Sequence, residues 1–312
     1  MVRLLLNGLV NILPLTNNKV KNMKTFIRGV TTGLLVSSSL LISTTLLAED
    51  NLNNEDARSG GYLKIGFGYK YEETPYHDEK NGAALFLSGR YQFNNGLYIE
   101  ASHGANELSL GNSVGFNFFN TEHWSFDAHI TQAHGSTTMR FNLKDESGDI
   151  MVHNMDRSDT QMLGLRTTGT YGQTTIQFIA APYSFNQDYD DGVFASAWLA
   201  HSWQIKNWEL YASAGVNYRS KEIINHYYAT SDEIVALDVP ILPAYEAGGG
   251  FDIITQVGLS YPVSESILFE SYLRYTDVSD SIIDSPAMQI FSSLNERSEN
   301  VTEFGLLFSY VF

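Results

Sequence analysis

Eight histidines, His77, His103, His123, His129, His134, His153, His201 and His226, are the residues of this chain best suited to holding a metal or moving a proton. No two of them have the three- or four-residue spacing that places two ligands on one helix face, and His-Glu-x-x-His does not occur. There is no cysteine, which excludes thiolate metal sites, disulfides and a lipid-modified cysteine anchor. A hydrolase would need a serine nucleophile, a histidine base and a group to orient it. Ser136 follows His134-Gly135, and Ser285 stands before Pro286, where a turn is expected. The expectation is therefore no catalytic centre, no metal and no cofactor.

Acidic residues form two further clusters, Asp188, Asp190 and Asp191, then Asp277, Asp280 and Asp284. Carboxylates so grouped can hold a hard cation such as calcium or magnesium, and a solvated acidic loop explains them equally. A third set, Arg90, Glu100, Asp127, Arg166, Glu209, Asp252, Glu270 and Arg274, falls on the polar side of alternating stretches. Facing an enclosed interior, such residues either pair into a plug or line a conduit.

The segments that position these residues alternate with period two. Leu63, Ile65, Phe67 and Tyr69 share one face against Lys64, Gly66, Gly68 and Lys70, and Trp124, Phe126, Ala128 and Ile130 stand against Ser125, Asp127, His129 and Thr131. The same holds from Leu85 to Phe93, from Trp208 to Arg219 and from Phe251 to Ser260. Such alternation marks half-buried strands, and helical spacing is absent. Mean hydropathy is −0.16 although aromatics make up 13% of the chain, as expected of strands that are apolar outside and polar inside.

Connections alternate strictly between short and long. The short ones are Asn94-Asn95-Gly96, Asn120 to His123, Tyr171-Gly172-Gln173, Lys206-Asn207 and Pro262 to Glu265. The long ones are Glu72 to Asn81, a brief Gly104 to Glu107, Lys144 to Ser158, Phe185 to Asp191, Glu222 to Glu246 and Val278 to Asn300. With both termini on one side, this predicts an all-β, transmembrane, antiparallel up-and-down β-barrel of about twelve strands, or ten as the alternative. Aromatics crowd the short turns: Tyr91, Phe93, Tyr98, Phe118, Phe119, Trp124, Tyr171, Trp203, Trp208, Tyr261, Phe269 and Phe312. In a barrel they form an interfacial girdle.

The first 48 residues read as an upstream extension followed, from Met23, by a secretory signal peptide cleaved after Ala48. Residues 49–61 then form a periplasmic segment and residues 62–312 the barrel. All five basic residues of the first 48 leave with the signal, so 14 basic residues face 35 acidic ones, a net charge of −21. Such a chain repels nucleic acid.

The last stretch ends on Phe312, with Tyr310, Phe308, Leu306 and Phe304 on the same face. Phe308, Tyr310 and Phe312 resemble the terminal signal by which outer-membrane barrels engage the barrel assembly machinery. Further matches are Tyr227-Tyr228-Ala229-Thr230-Ser231-Asp232-Glu233, Tyr245-Glu246-Ala247-Gly248-Gly249-Gly250, Leu273-Arg274-Tyr275, Asp284-Ser285-Pro286 and, near the front, Gly66-Phe67-Gly68-Tyr69 with Pro75-Tyr76. Together they resemble the MltA-interacting protein (MipA/OmpV) family of bacterial outer-membrane proteins, with Tyr245, Gly248, Gly250, Tyr275, Asp284, Ser285 and Pro286 as its motif residues. His77-Asp78-Glu79-Lys80 departs from the small residues usual after Pro-Tyr.

The resemblance implies a non-enzymatic scaffold in the Gram-negative outer membrane, among lipid and lipopolysaccharide. It brings a murein lytic transglycosylase together with a murein synthase, and the alternative is a porin-like channel for small solutes or ions.

Overall fold

A computed structural model describes residues 59–108, 111–144, 150–185, 191–229, 245–286, 288–289 and 297–312. The proposed extension and signal peptide, and Asp188 and Asp190 of the first acidic cluster, lie outside the described residues.

Twelve strands close a barrel: β1 (Gly60–Thr74), β2 (His77–Gln92), β3 (Leu97–His103), β4 (Gly111–Asn120), β5 (Trp124–His134), β8 (Thr160–Tyr171), β9 (Thr174–Ser184), β10 (Phe194–Ile205), β11 (Trp208–Arg219), β12 (Gly250–Ser264), β13 (Ile267–Asp277) and β14 (Val301–Val311). Every pairing is antiparallel between chain neighbours, except that β5 pairs β8 across an inserted hairpin and β1 pairs β14 to close the ring. At that seam Phe67 lies opposite Phe308, and the Phe312 N–H donates to the Leu63 carbonyl at 2.9 Å. Closure leaves the ring no free strand edge, which a lipid environment requires.

The period-two alternation sorts the side chains as expected. Phe67 (64% exposed) and Phe308 (57%) stand on the outer surface, and Asp127 (0%) and Arg166 (2%) inside. All five short turns occur, the fifth shifted to Glu265-Ser266 because β12 runs on through Pro262 to Ser264. In the first, Gly96 at φ +87° closes a turn in which the Gly96 N–H donates to the Phe93 carbonyl at 2.9 Å. The girdle is present too. Trp124 donates its ring N–H to the Tyr171 hydroxyl at 2.7 Å, and a register shift between Asn117 and Phe119 turns Phe118 and Phe119 both outward.

Four expectations need correction. Tyr98 is fully buried and faces the lumen rather than joining the girdle, consistent with its alternation with the outward Leu97 and Ile99. The Glu72 to Asn81 loop is instead a hairpin whose only turn is Pro75-Tyr76. Glu72 lies opposite Lys80, oppositely charged residues in register across the ribbon. A second hairpin, β6 (Thr137–Lys144) with β7 (Ile150–Arg157), forms a separate two-stranded sheet in the β5–β8 connection. Helical spacing is also present: α1 (Lys221–Tyr228) buries Ile223, Ile224, Tyr227 and Tyr228 along one face, and α2 (Asp280–Ile283) buries Ile282.

Candidate functional site

The lumen is occupied by paired charges. Arg166 on β8 reaches both carboxylate oxygens of Glu100 on β3 at 3.1 Å, and its Nε donates to Asp127 on β5 at 3.2 Å. Arg90 on β2 adds a 3.4 Å bond to Glu100 and lies 4.0 Å over the Tyr98 ring. Asn117 donates to Asp127 at 2.8 Å, and the Tyr98 hydroxyl meets His129 Nδ1 at 2.9 Å. Two guanidiniums thus balance two carboxylates in a low-dielectric interior, where an unpaired charge would be costly.

A second network covers the opposite wall. Lys64 donates to Glu270 at 2.9 Å, and Arg274 donates to Gln256 at 2.7 Å and to Glu303 at 3.1 Å. Tyr272 donates to Glu303 at 2.6 Å, and Lys70 bridges Glu303 and Glu72 at 2.8 and 2.6 Å. Of the eight inward charges read from the sequence, Glu209 alone stands outside these ion pairs and Arg219–Asp252; it accepts from Ser260 at 3.3 Å.

Inward aromatics fill the space between by lying across glycines. Tyr98 is the register partner of Gly115, Trp198 of Gly215, Tyr211 of Gly258 and Tyr272 of Gly305. A Cβ at any of these glycines would come within 2.3 Å of the facing ring or its hydroxyl. The glycine is what lets each ring fold flat along the wall.

Over the long-connection mouth, α1 and α2 pack with the strand ends. Ile223, Ile224, Tyr227, Tyr228, Ala247, Val278, Ile282 and Met288 share one buried cluster with Ala133, Met162, Ile179, Ala181 and Phe194. His134 stacks on Tyr227 at 3.9 Å and bonds the Tyr228 hydroxyl at 3.0 Å, and the β7 residue Arg157 donates to the last turn of α1 through the His226 carbonyl at 2.9 Å. Beneath the cluster, Arg219 pairs with Asp252 and donates to the Ala133 carbonyl at 2.7 Å.

Six of the seven motif residues fall on two segments that meet in this cap. Tyr245 donates to the Ser281 carbonyl at 2.9 Å, Gly248 lies beside Ser281, and Gly250 leaves room for the Ser279 hydroxyl where a Cβ would sit 1.9 Å from it. Asp284 ends α2, its N–H donating to Asp280 at 2.8 Å; Ser285 is fully buried and accepts the Met288 N–H at 3.3 Å; Pro286 follows it. Tyr275 is not among them and stands on the outer face of β13. Phe308, Tyr310 and Phe312 line the outer face of β14, with Tyr310 and Phe312 rings 4.7 Å apart.

Among the described residues no three histidine, aspartate or glutamate side chains are grouped to hold a metal. One pattern was missed in the sequence. Gly111-Asn112-Ser113-Val114-Gly115 has the spacing of a hydrolase nucleophile elbow, but it opens strand β4 instead of a strand-to-helix turn. Ser113 Oγ and His129 Nε2 are both buried without a hydrogen bond, so they do not bond each other.

A family model described as MltA-interacting protein MipA matches residues 65–312. No curated protein matches the sequence. Among solved structures, the KdgM porin is similar over 80% of this chain and 99% of its own, at 11% identity and TM-score 0.37. OmpT, an outer-membrane protein of Vibrio cholerae, is similar over 85% and 100% at 10% identity and TM-score 0.35. A Pseudomonas aeruginosa FadL homologue is similar over 83% and 92% at 10% identity and TM-score 0.39.

Proposed function

The chain belongs to the MltA-interacting protein family, and we propose that it serves as a non-enzymatic outer-membrane scaffold that brings murein-synthesising and murein-hydrolysing enzymes together. The observation that carries this reading is the occupied lumen. Arg166, Glu100, Asp127 and Arg90 satisfy one another across it, and the α1–α2 cap packs over one mouth. A barrel filled in this way supports work done at its surface over work done as an open conduit. The family description names an MltA-interacting protein, and the partner pair, a murein lytic transglycosylase and a murein synthase, is what the resemblance to that family implies.

In this reading the chain is exported by its signal peptide, folded by the barrel assembly machinery through Phe308, Tyr310 and Phe312, and set among lipid and lipopolysaccharide. The tight turns on the side of the termini offer little area, so docking uses the girdle, those turns or the acidic segment from Glu49 to Arg58. Photocrosslinkers placed at Asn95, Asn120 and Asn207 in intact cells test it. Adducts containing murein enzymes are expected at one or more of these sites. Adducts with lipid and assembly factors alone at all three would contradict the scaffold.

A further inference from the structure

The connection after β3 turns into the barrel. Gly104 and Ala105 are buried, Asn106 is exposed and Glu107 is half-buried, and the Ala105 methyl packs among Phe86, Tyr211, Tyr272 and Leu307, contributed by four different strands. The Gly104 carbonyl accepts from Arg274 Nη2 at 3.3 Å, and the Asn106 N–H donates to the Tyr211 hydroxyl at 2.9 Å. The Ser88 hydroxyl donates to the Glu107 carboxylate. The seat is thus one methyl and three polar contacts, without regular secondary structure. So few apolar contacts place a segment at the low-stability end of a fold. Asn106 is also held at φ +58°, a left-handed conformation that costs a residue with a side chain.

Charge singles out Glu107. The wall around it is balanced, with Lys64 on Glu270 and Arg274 and Lys70 on Glu303. Among the described residues Glu107 has no ion-pair partner, and its hydrogen bond comes from a neutral hydroxyl. The titratable and charged groups that face it are Tyr62 and Lys64 from β1, Glu100 from β3 and Arg274 from β13. Glu107 lies on the connection, not on a membrane-crossing strand, and burial pushes its carboxyl up to about 7.

We infer that Gly104–Glu107 is a displaceable plug, which leaves its seat when Glu107 ionises and returns when Glu107 is protonated. The sign follows from linkage. Seated, the carboxyl titrates above the ordinary carboxylate range; released into water, it returns to that range. The seat is therefore at full strength below the released value and weakens as pH rises through the seated one. With the segment seated the lumen is filled, as the scaffold reading requires; withdrawal uncovers a wall carrying Lys64, Lys70 and Arg274 against Glu72, Glu270 and Glu303, which gives small hydrated ions a path with little preference for sign.

The chain has no cysteine, so Ala105→Cys supplies the only thiol. The full-length barrel in detergent is labelled with a small hydrophilic maleimide at acid and alkaline pH. Rates are normalised to Asn95→Cys in an exposed turn, which removes the pH dependence of the thiol itself. The normalised rate should rise about tenfold between about pH 5.5 and about pH 8.5, and Glu107→Gln in the same background should abolish the rise. The unsubstituted chain in a planar bilayer gives a second readout that needs no cysteine at the seat. Its conductance should be greater at the alkaline pH, with the difference lost in Glu107→Gln. Normalised labelling that ignores pH, a rise that survives Glu107→Gln, or a pH-independent conductance would overturn the plug.

Discussion

Arg166 on β8 holds both carboxylate oxygens of Glu100 on β3 at 3.1 Å, joining strands that are not neighbours in the barrel. The pair makes the lumen a cross-braced interior.

Removing one side of that brace leaves a buried charge without its partner. Arg166→Met should lower stability by about 3–5 kcal/mol, read as an earlier urea transition of the folded, heat-modifiable band. Adding Glu100→Gln should recover part of the loss, since the remaining charges, Arg90 and Asp127, then balance. A double variant as unstable as the sum of the two single ones would show that the residues do not interact.

The aromatic–glycine pairs predict a conditional effect. Gly215→Ala places a Cβ 2.3 Å from the Trp198 ring and should cost about 1–3 kcal/mol through overpacking. In a Trp198→Ala background the same substitution should cost almost nothing. Equal costs in both backgrounds would mean that the ring and the glycine are not coupled.

Lipid exposure sets a third expectation. Phe67 stands on the outer face near the middle of the seam, so Phe67→Arg should destabilise the barrel in vesicles by about 2–4 kcal/mol. Glu79→Arg, on the exposed ribbon, should leave stability unchanged. Similar losses at the two positions would place the bilayer elsewhere.

The sequence showed the ring of strands and which residues face inward because both follow from alternation and turn spacing, which are local. Arg90, Glu100, Asp127 and Arg166 could be named as inward, but their pairing depends on register and closure. Nearness to a turn points Tyr98 to the girdle and its own parity points it to the lumen; parity prevails because a one-residue slip would invert the whole strand. The α1 face, Ile223, Ile224, Tyr227 and Tyr228, was legible as helical spacing but lay inside a segment read as a polar loop. The inward course of Gly104–Glu107 had no local signal, since its partners Tyr211 and Arg274 are more than a hundred residues away. The aromatic–glycine pairs are likewise visible only once each strand has been registered on its neighbour.

Spin labels placed singly along β10 and β11 of the chain in lipid vesicles test the central claim most directly. Positions 199, 203 and 210 should be relaxed by lipid-dissolved oxygen, while 196, 198 and 213 should be shielded from it, an alternation of period two. Equal oxygen accessibility on the two sets would contradict a closed barrel with apolar side chains in lipid and a packed polar interior.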